Sequence, residues 1–423
     1  MQAPPSQQLV DHLFRHESGK IIAVLTRIFG MHNLEMAEDV MQEAFLKAMH
    51  AWKFDIPQNP AAWLMQTARN KAIDIVRRQQ YYKQYSGEVA RQLLSETENT
   101  IEQFFSENEI SDSQLRMIFA CCHPQLKLED RIALTLKTVS GFGVAEIARA
   151  LVTNDAAIQK RLYRAKQFIK ENDVQFEIPA GEELKQRLET VYTILYLLFN
   201  EGYNSLKADE LIRKDVCAEA MRLAYILSQN KAGKQPATYA LLALMCLQAS
   251  RFESRLDAEN SIILLQHQDR SKWDKELIQM GYHYLNLSSK GDVMSVYHIE
   301  SAIAAEYALA ASFASTDWQR LLQLYELLLD IKRTPVVILN RAVVLSRAGE
   351  TNRAVSEVLA IDNIDVLLQN QYIYSAVLGD LYLTKGDYVN AQKYLKLSLQ
   401  LTPSEAEKKL LKDKLKSISA VII

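Results

Sequence analysis

Residues 144–171 read VAEIARALVTNDAAIQKRLYRAKQFIKE, and this stretch decides the architecture. Ile147, Ala148 and Leu151 recur at helical spacing in its first half, and Ile158, Leu162 and Ala165 in its second. An i, i+4, i+7 rhythm is that of an amphipathic helix with one buried stripe. Between the two halves, Val152-Thr153-Asn154 forms a turn, and Asn154 or Asp155 can cap the second helix by accepting hydrogen bonds from its free N–H groups. Ala148 falls where the helices cross, so a larger side chain there would force them apart. The pattern predicts a helix-turn-helix. Val152 occupies the turn position usually given to glycine, and a β-branched residue resists positive φ. The turn is therefore expected to be built somewhat differently.

The second helix carries Gln159, Lys160, Arg161, Arg164, Lys166 and Lys170 outside its apolar stripe, against only Asp155 and Glu171. Short polar groups at the start and Arg/Lys further along suit a helix that reads base edges and grips phosphates in the major groove. An ordinary amphipathic helix with a solvated basic face is the plainer alternative. The chain as a whole has a formal net charge of −2, so any nucleic-acid surface must be local.

At 423 residues the chain exceeds what one core usually serves, and two or three domains are expected. Its 13 glycines and 9 prolines are too few for a sheet-rich fold built on tight turns, while Ala, Leu, Gln, Lys, Glu and Arg fill long stretches. The expected class is all-α. No window approaches ~18 uninterrupted apolar residues, and the polar N-terminus lacks the pattern of a secretory signal. Neither a membrane span nor export is expected, and the predicted location is cytoplasmic. Cys121, Cys122, Cys217 and Cys246 form no Cys-x-x-Cys pair, and adjacent cysteines bridge poorly. They read as buried thiols rather than a metal site with His123.

Helical periodicity runs through residues 10–29, 35–52 and 61–82, with a turn at 54–60 holding Pro57, Asn59 and Pro60. Residues 86–110 are polar and acidic and read as a linker with some helical character. These features divide the chain into a first domain (1–85), the linker (86–110), a second domain (111–174) and a long helical region (182–423). In the last, Leu378-Gly379-x2-Tyr382-x8-Ala391-x11-Pro403 matches the ~34-residue tetratricopeptide pattern of paired helices. Ala342, Gly349 and Ala354 precede Gly379, Gly386 and Ala391 by one constant interval. Small residues there let the helices of a hairpin approach closely, and stacked hairpins bury each other's apolar faces.

In the second helical block Ala37, Val40, Met41, Ala44 and Ala48 form the apolar stripe, with Glu35, Glu38, Asp39, Gln42 and Glu43 outside it. In the third, Leu64, Ala68, Ala72 and Ile75 form the buried side. Arg69, Lys71, Arg77, Arg78 and Lys83 make another face positive, and Trp52, Phe54, Trp63, Tyr81, Tyr82 and Tyr85 interleave. Cations with aromatics suit single-stranded DNA, whose bases stack while its phosphates are neutralised.

The strings Ala37-Glu-Asp-Val-x-Gln-Glu-Ala-Phe-Leu-Lys-Ala48 and Pro60-Ala-Ala-Trp-Leu-x4-Arg-Asn-x3-Asp-x2-Arg-Arg78, followed by the helix-turn-helix, together resemble the extracytoplasmic-function (ECF) sigma factors. The first two look like region 2 and residues 128–171 like region 4. The resemblance implies a factor that brings RNA polymerase core to promoter DNA. It assigns Asp39, Gln42, Glu43 and Leu46 to the β′ clamp helices and residues 128–137 to the neighbourhood of the β flap. Phe54, Asn59, Trp63, Asn70, Lys71, Arg77 and Arg78 would serve the −10 element, where a flipped base nucleates melting. Gln159, Lys160, Arg161, Arg164 and Lys166 would serve the −35 element.

Phe199-Asn-Glu-Gly-Tyr203, Asp215-x-Cys-Ala-Glu-Ala-x-Arg-Leu223, Gln268-Asp-Arg-Ser-x-Trp-Asp274 and Pro335-x3-Leu-Asn-Arg-Ala342 resemble the sigma-factor group with a long tetratricopeptide-like extension. By implication that extension regulates or supports activity in cis, with a protein or small molecule as its possible partner. Asn200, Glu201, Arg222, Asp269, Arg270 and Asp274 are expected to form a polar network within or between its hairpins.

Two rivals come from other classes. An enzyme is disfavoured because the sequence has no Gly-rich phosphate loop, His-Glu-x-x-His, Gly-x-Ser-x-Gly or metal-spaced Cys/His set; no catalytic residue, metal or cofactor is expected. A helix-turn-helix repressor or activator with a helical effector domain shares the basic helix. It gives no reason for the acidic second helix or the Trp-rich third block.

Overall fold

The helices follow the apolar periodicity closely. The computed structural model describes residues 5–81, 88–151, 153–204 and 212–422, so Val152, Tyr82, Lys83 and Tyr85 lie outside the described residues. In order, the helices are α1 (Pro5–Phe29), α2 (Leu34–Ala51), α3 (Pro60–Tyr81), α4 (Glu88–Phe104), α5 (Glu107–Cys121), α6 (Leu128–Thr138), α7 (Val144–Ala150), α8 (Asp155–Glu171) and α9 (Gly181–Tyr203). They continue as α10 (Lys214–Gln229), α11 (Pro236–Ala249), α12 (Phe252–Arg255), α13 (Lys275–Ser288), α14 (Val296–Leu309), α15 (Trp318–Ile331) and α16 (Pro335–Arg347). The last are α17 (Thr351–Leu359), α18 (Ile364–Asn370), α19 (Tyr372–Lys385), α20 (Tyr388–Leu401) and α21 (Glu405–Ile422). Among the described residues the one β feature is a bridge between Leu256 and Ile262. The fold is all-α. Two compact units emerge: Met1–Leu198 with Gln229–Gly233, and Phe199–Ser228 with Lys234–Ile423.

The first unit is organised around α1, which packs on α2, α3, α5 and α6. Ile21, Val24 and Leu25 of α1 are fully buried. Gly19 makes one of these contacts possible: a Cβ placed there would sit 1.9 Å from the Val139 carbonyl oxygen. The backbone of α1 thus lies directly against the end of α6. Charged groups add to the same junction. Arg15 pairs with Glu146 and Lys166 with Glu38, while Arg27 reaches Glu109 at 2.6 Å. Residues 86–110 contain α4, whose Glu98 and Glu102 pair with Arg77 and Arg69 of α3, at 2.6 and 2.7 Å. Cys121 and Cys122 are buried at the end of α5. Burial pushes the Cys121 thiol up to about 12 and Cys122 higher still, so both stay neutral thiols near pH 7.

In the second unit the predicted hairpins form. α16 packs on α17 and α19 on α20. A Cβ on Gly379 would lie 2.7 Å from Leu395 Cγ, so only a missing side chain lets α19 and α20 come this close. Ala342, Ala354 and Ala391 are fully buried. Gly386 closes α19 in the left-handed conformation, φ 80°, where glycine carries no Cβ penalty. Of the residues expected in a polar network, Asp269, Asp274 and Arg270 have separate partners. Asp269 and Asp274 each cap their own helical turn, accepting from Ser271 N and from Glu276 N and Leu277 N. Arg222 pairs with Glu219 one turn away on α10, and Arg270 donates to the carbonyls of Tyr307 and Ala310.

Candidate functional site

α8 begins where the sequence placed it. Asn154 Oδ1 accepts from Ala157 N at 2.9 Å, and Asp155 is the first helical residue. Ile158, Leu162, Ala165 and Ile169 are buried, and so is Ala148 on α7. This fixes which side chains face outward. Gln159 and Lys160 are exposed and Arg161 is half-buried, and none of the three has an ion pair among the described residues. Arg164 and Lys166 are committed instead. Arg164 makes a two-pronged contact with Asp130 of α6, at 2.6 and 3.3 Å, and Asp130 is buried. That hydrogen bond raises the Arg164 pKa. Lys166 pairs with Glu38 of α2.

On α2, Asp39, Gln42 and Leu46 are exposed. Leu46 is 56% exposed, although it lies on a helix whose apolar stripe is otherwise buried. Glu43 bridges to Lys71 of α3 at 2.6 Å and to Lys47 at 3.2 Å, and the Lys71 hydrogen bond holds its carboxyl below the ordinary value. Gln42 also lines a cleft of about 300 Å³ with Phe14, Met41, Glu38 and Lys137.

The turn before α3 carries Phe54 at 92% exposure, with Ile56 also outward. Asn59 works as a helix cap: its Oδ1 accepts from Ala62 N at 3.0 Å and its carbonyl from Trp63 N at 3.1 Å. Trp63 is half-buried and stands edge-on to the buried Trp52, ring centroids 5.5 Å apart. Asn70 is exposed and receives a hydrogen bond from Gln66. Arg78 is exposed, as is Arg77, which meets Glu98. Phe54, Trp63, Lys71, Arg77 and Arg78 thus come from one turn and one helix, with Asp39, Gln42 and Leu46 on the neighbouring α2.

Two features escaped the sequence reading. Tyr163 is 68% exposed on α8, beside the cations, and its outward setting follows from the buried stripe at Ile158, Leu162 and Ala165. The second is the pairing of the α3 cations with α4, which periodicity cannot show because it joins residues more than twenty positions apart.

Residues 13–81 match Sigma-70 region 2, and residues 116–169 match Sigma-70, region 4. Over 130 residues, 30% of this chain and 65% of the relative, the sequence is 24% identical to the "ECF RNA polymerase sigma factor SigX" of Bacillus subtilis. The chain belongs to the ECF sigma factors. This sigma factor acts in promoter-directed transcription, and regions 2 and 4 imply RNA polymerase core and promoter DNA as its partners. The matched sigma regions belong to non-enzymatic families. Its C-terminal extension includes residues 187–289, which match a family of unknown function, DUF6596. A protein of Rhizobium meliloti described as "Uncharacterized protein R00370" is 32% identical over 94% of this sigma factor and 93% of its own length. No solved structure matches. Among the described residues no helix is long and apolar enough to cross a membrane.

Proposed function

We propose that this sigma factor divides its work along the chain. Residues 1–85 bind core polymerase and the −10 element, 86–110 link, 111–174 bind the −35 element, and 182–423 form a tetratricopeptide-like extension that regulates or supports activity. Asp39, Gln42, Glu43 and Leu46 meet the β′ clamp helices, and residues 128–137 lie near the β flap. Phe54 takes part in capturing a flipped −10 base, with Asn59, Trp63, Asn70, Lys71, Arg77 and Arg78 holding the displaced strand and its phosphates. Gln159, Lys160 and Arg161 contact the −35 element directly; Arg164 and Lys166 join them once released from their carboxylates. The setting is the cytoplasm.

The observation that carries this reading is the exposure of Leu46 and Phe54 on region 2. Large apolar side chains in solvent, next to unpaired polar ones, suit a partner surface. A repressor would have no use for them. In vitro transcription with purified core polymerase tests the proposal: the factor should permit initiation from its own promoters, and Leu46→Asp should abolish core binding. No initiation from any genomic promoter fragment would overturn it. Truncation after Pro179 should lower promoter output, and unchanged output would remove the proposed role of the extension.

A further inference from the structure

Many arginines among the described residues end on carboxylates, such as Arg116 on Asp112, Arg222 on Glu219, and Arg341 on Glu326 and Glu357. Among the described residues Arg251, Arg255 and Arg270 have no carboxylate partner, and their hydrogen bonds go to neutral groups. Arg251 Nε donates to Gln268 Oε1 at 3.1 Å. Arg255 donates to the Tyr203 carbonyl at 2.5 Å and to Asn204 Oδ1 at 2.6 Å. One terminal nitrogen of Arg270 donates to the carbonyls of Tyr307 and Ala310, both at 2.6 Å.

One aromatic ring brings two of these cations together, and a second ring holds the third. The Arg251 and Arg270 Cζ atoms lie 5.4 and 4.5 Å from the centroid of one indole, Trp273, and Arg255 stacks at 3.8 Å over Tyr203. Two donors are buried with no partner: the second terminal nitrogen of Arg270 and Trp273 Nε1. Burial lowers the pKa of Arg255 and of Arg270, and the nearby Arg251 cation lowers both further. The acids nearby in sequence are engaged elsewhere: Asp269 and Asp274 cap their own helical turns, Glu253 pairs with Lys214, and Asp257 accepts from the backbone of Glu259 and Ser261.

Like charges in partly desolvated surroundings, with donors left over, lack a counter-ion. Guanidinium forks match oxyanions, and a tetrahedral dianion accepts from several directions where a carboxylate accepts in one plane. We propose that Arg251, Arg255, Arg270 and Trp273 form a binding site for a phosphate group, carried by inorganic phosphate or by a phosphorylated small molecule. Arg251 and the free edge of Arg270 supply the charge-assisted hydrogen bonds, and the Trp273 N–H supplies a third donor. The site stands independently of any role of the extension in transcription.

The full-length protein is titrated calorimetrically and by thermal unfolding with sodium phosphate, and in a second arm with glucose 6-phosphate. Sodium chloride at equal ionic strength is the reference. Phosphate should raise Tm above the chloride reference, as a ligand of the folded state must. Arg251→Gln should weaken binding roughly tenfold or more, with Arg251→Lys intermediate and Arg353→Gln, an exposed paired arginine, unchanged. Unfolding in chloride reports whether each variant is folded, and Arg251→Lys, which keeps the charge, carries the test if Arg251→Gln is not. Tighter binding of the sugar phosphate identifies a phosphorylated molecule as the ligand, and tighter binding of phosphate identifies the free ion. Stabilisation no greater than chloride in both arms overturns the proposal, as does unchanged affinity in the folded Arg251 variants.

Discussion

Two sets of cations, one in each unit, are held in opposite ways. In the first, basic side chains of the candidate DNA surfaces largely meet the protein's own acids: Lys166 on Glu38, Arg164 on Asp130, Arg77 on Glu98, Lys71 on Glu43. In the second, Arg251, Arg255 and Arg270 lie over aromatic rings with no acid partner among the described residues. The first arrangement suits a surface that exchanges internal carboxylates for DNA phosphates. An exposed pair such as Arg77–Glu98 is worth only about 0–1 kcal/mol, so exchange there is cheap. The second suits a site awaiting its anion. Within the first unit the pairs also differ: Arg77–Glu98 is surface chemistry, whereas Arg164 neutralises the buried Asp130 and so helps hold α8 on α6.

The largest effect is expected where no acid competes. Replacing Lys160 and Arg161 together by alanine should reduce promoter affinity about tenfold or more, and lessen the slope of log K against log salt by about 2. Fluorescence anisotropy of the holoenzyme across a salt series measures both. An unchanged slope would break the contrast between free and paired cations. A smaller and opposite effect is expected from Glu38→Gln, which frees Lys166 while keeping the side chain's shape. Binding to −35 DNA should tighten by roughly 3-fold, and weaker binding would show that the pair positions Lys166 rather than restrains it. Glu98→Gln with Glu102→Gln should speed open-complex formation about twofold at low salt and not at high salt, because exposed charges are screened. Persistence of the gain at high salt would point to helix packing instead.

The smallest effect is a pH dependence. Glu43 has its carboxyl held below the ordinary value of 4.5 in the folded state, chiefly by Lys71. A depressed folded-state pKa gives stability that is full above the unfolded value and is lost as pH falls through the folded one. Thermal unfolding should therefore separate wild type from Glu43→Gln at pH 6 and merge them well below pH 4.5. A gap that persists in acid would mean that Glu43 acts through packing.

Local regularities were legible in the sequence, and long-range partners were not. The buried stripe of α8, its cap at Asn154 and the small-residue crossing at Gly379 each depend on spacing within a helix or hairpin. Asn59 also reads locally, yet its side chain proves to cap α3, a use that competes with any contact to a base. The pairing of Arg164 with Asp130 depends on how α6 and α8 meet, which no periodicity encodes. For the same reason Asn200, Glu201, Arg222, Asp269, Arg270 and Asp274 suggested one polar network within or between hairpins. The structure sends Asp269 and Asp274 to caps and joins Arg270 to other arginines from the end of α11 and from α12.

Gly19 gives this architecture a genetic handle. Every glycine codon lies one base from an alanine codon, and the methyl so added would sit 1.9 Å from the Val139 oxygen. Something must move, and the candidates are α1 and the end of α6. A single-nucleotide change could thus loosen the hold of region 2 on region 4 without touching any residue assigned to polymerase or promoter. Selection for altered promoter output should find that position among its first solutions.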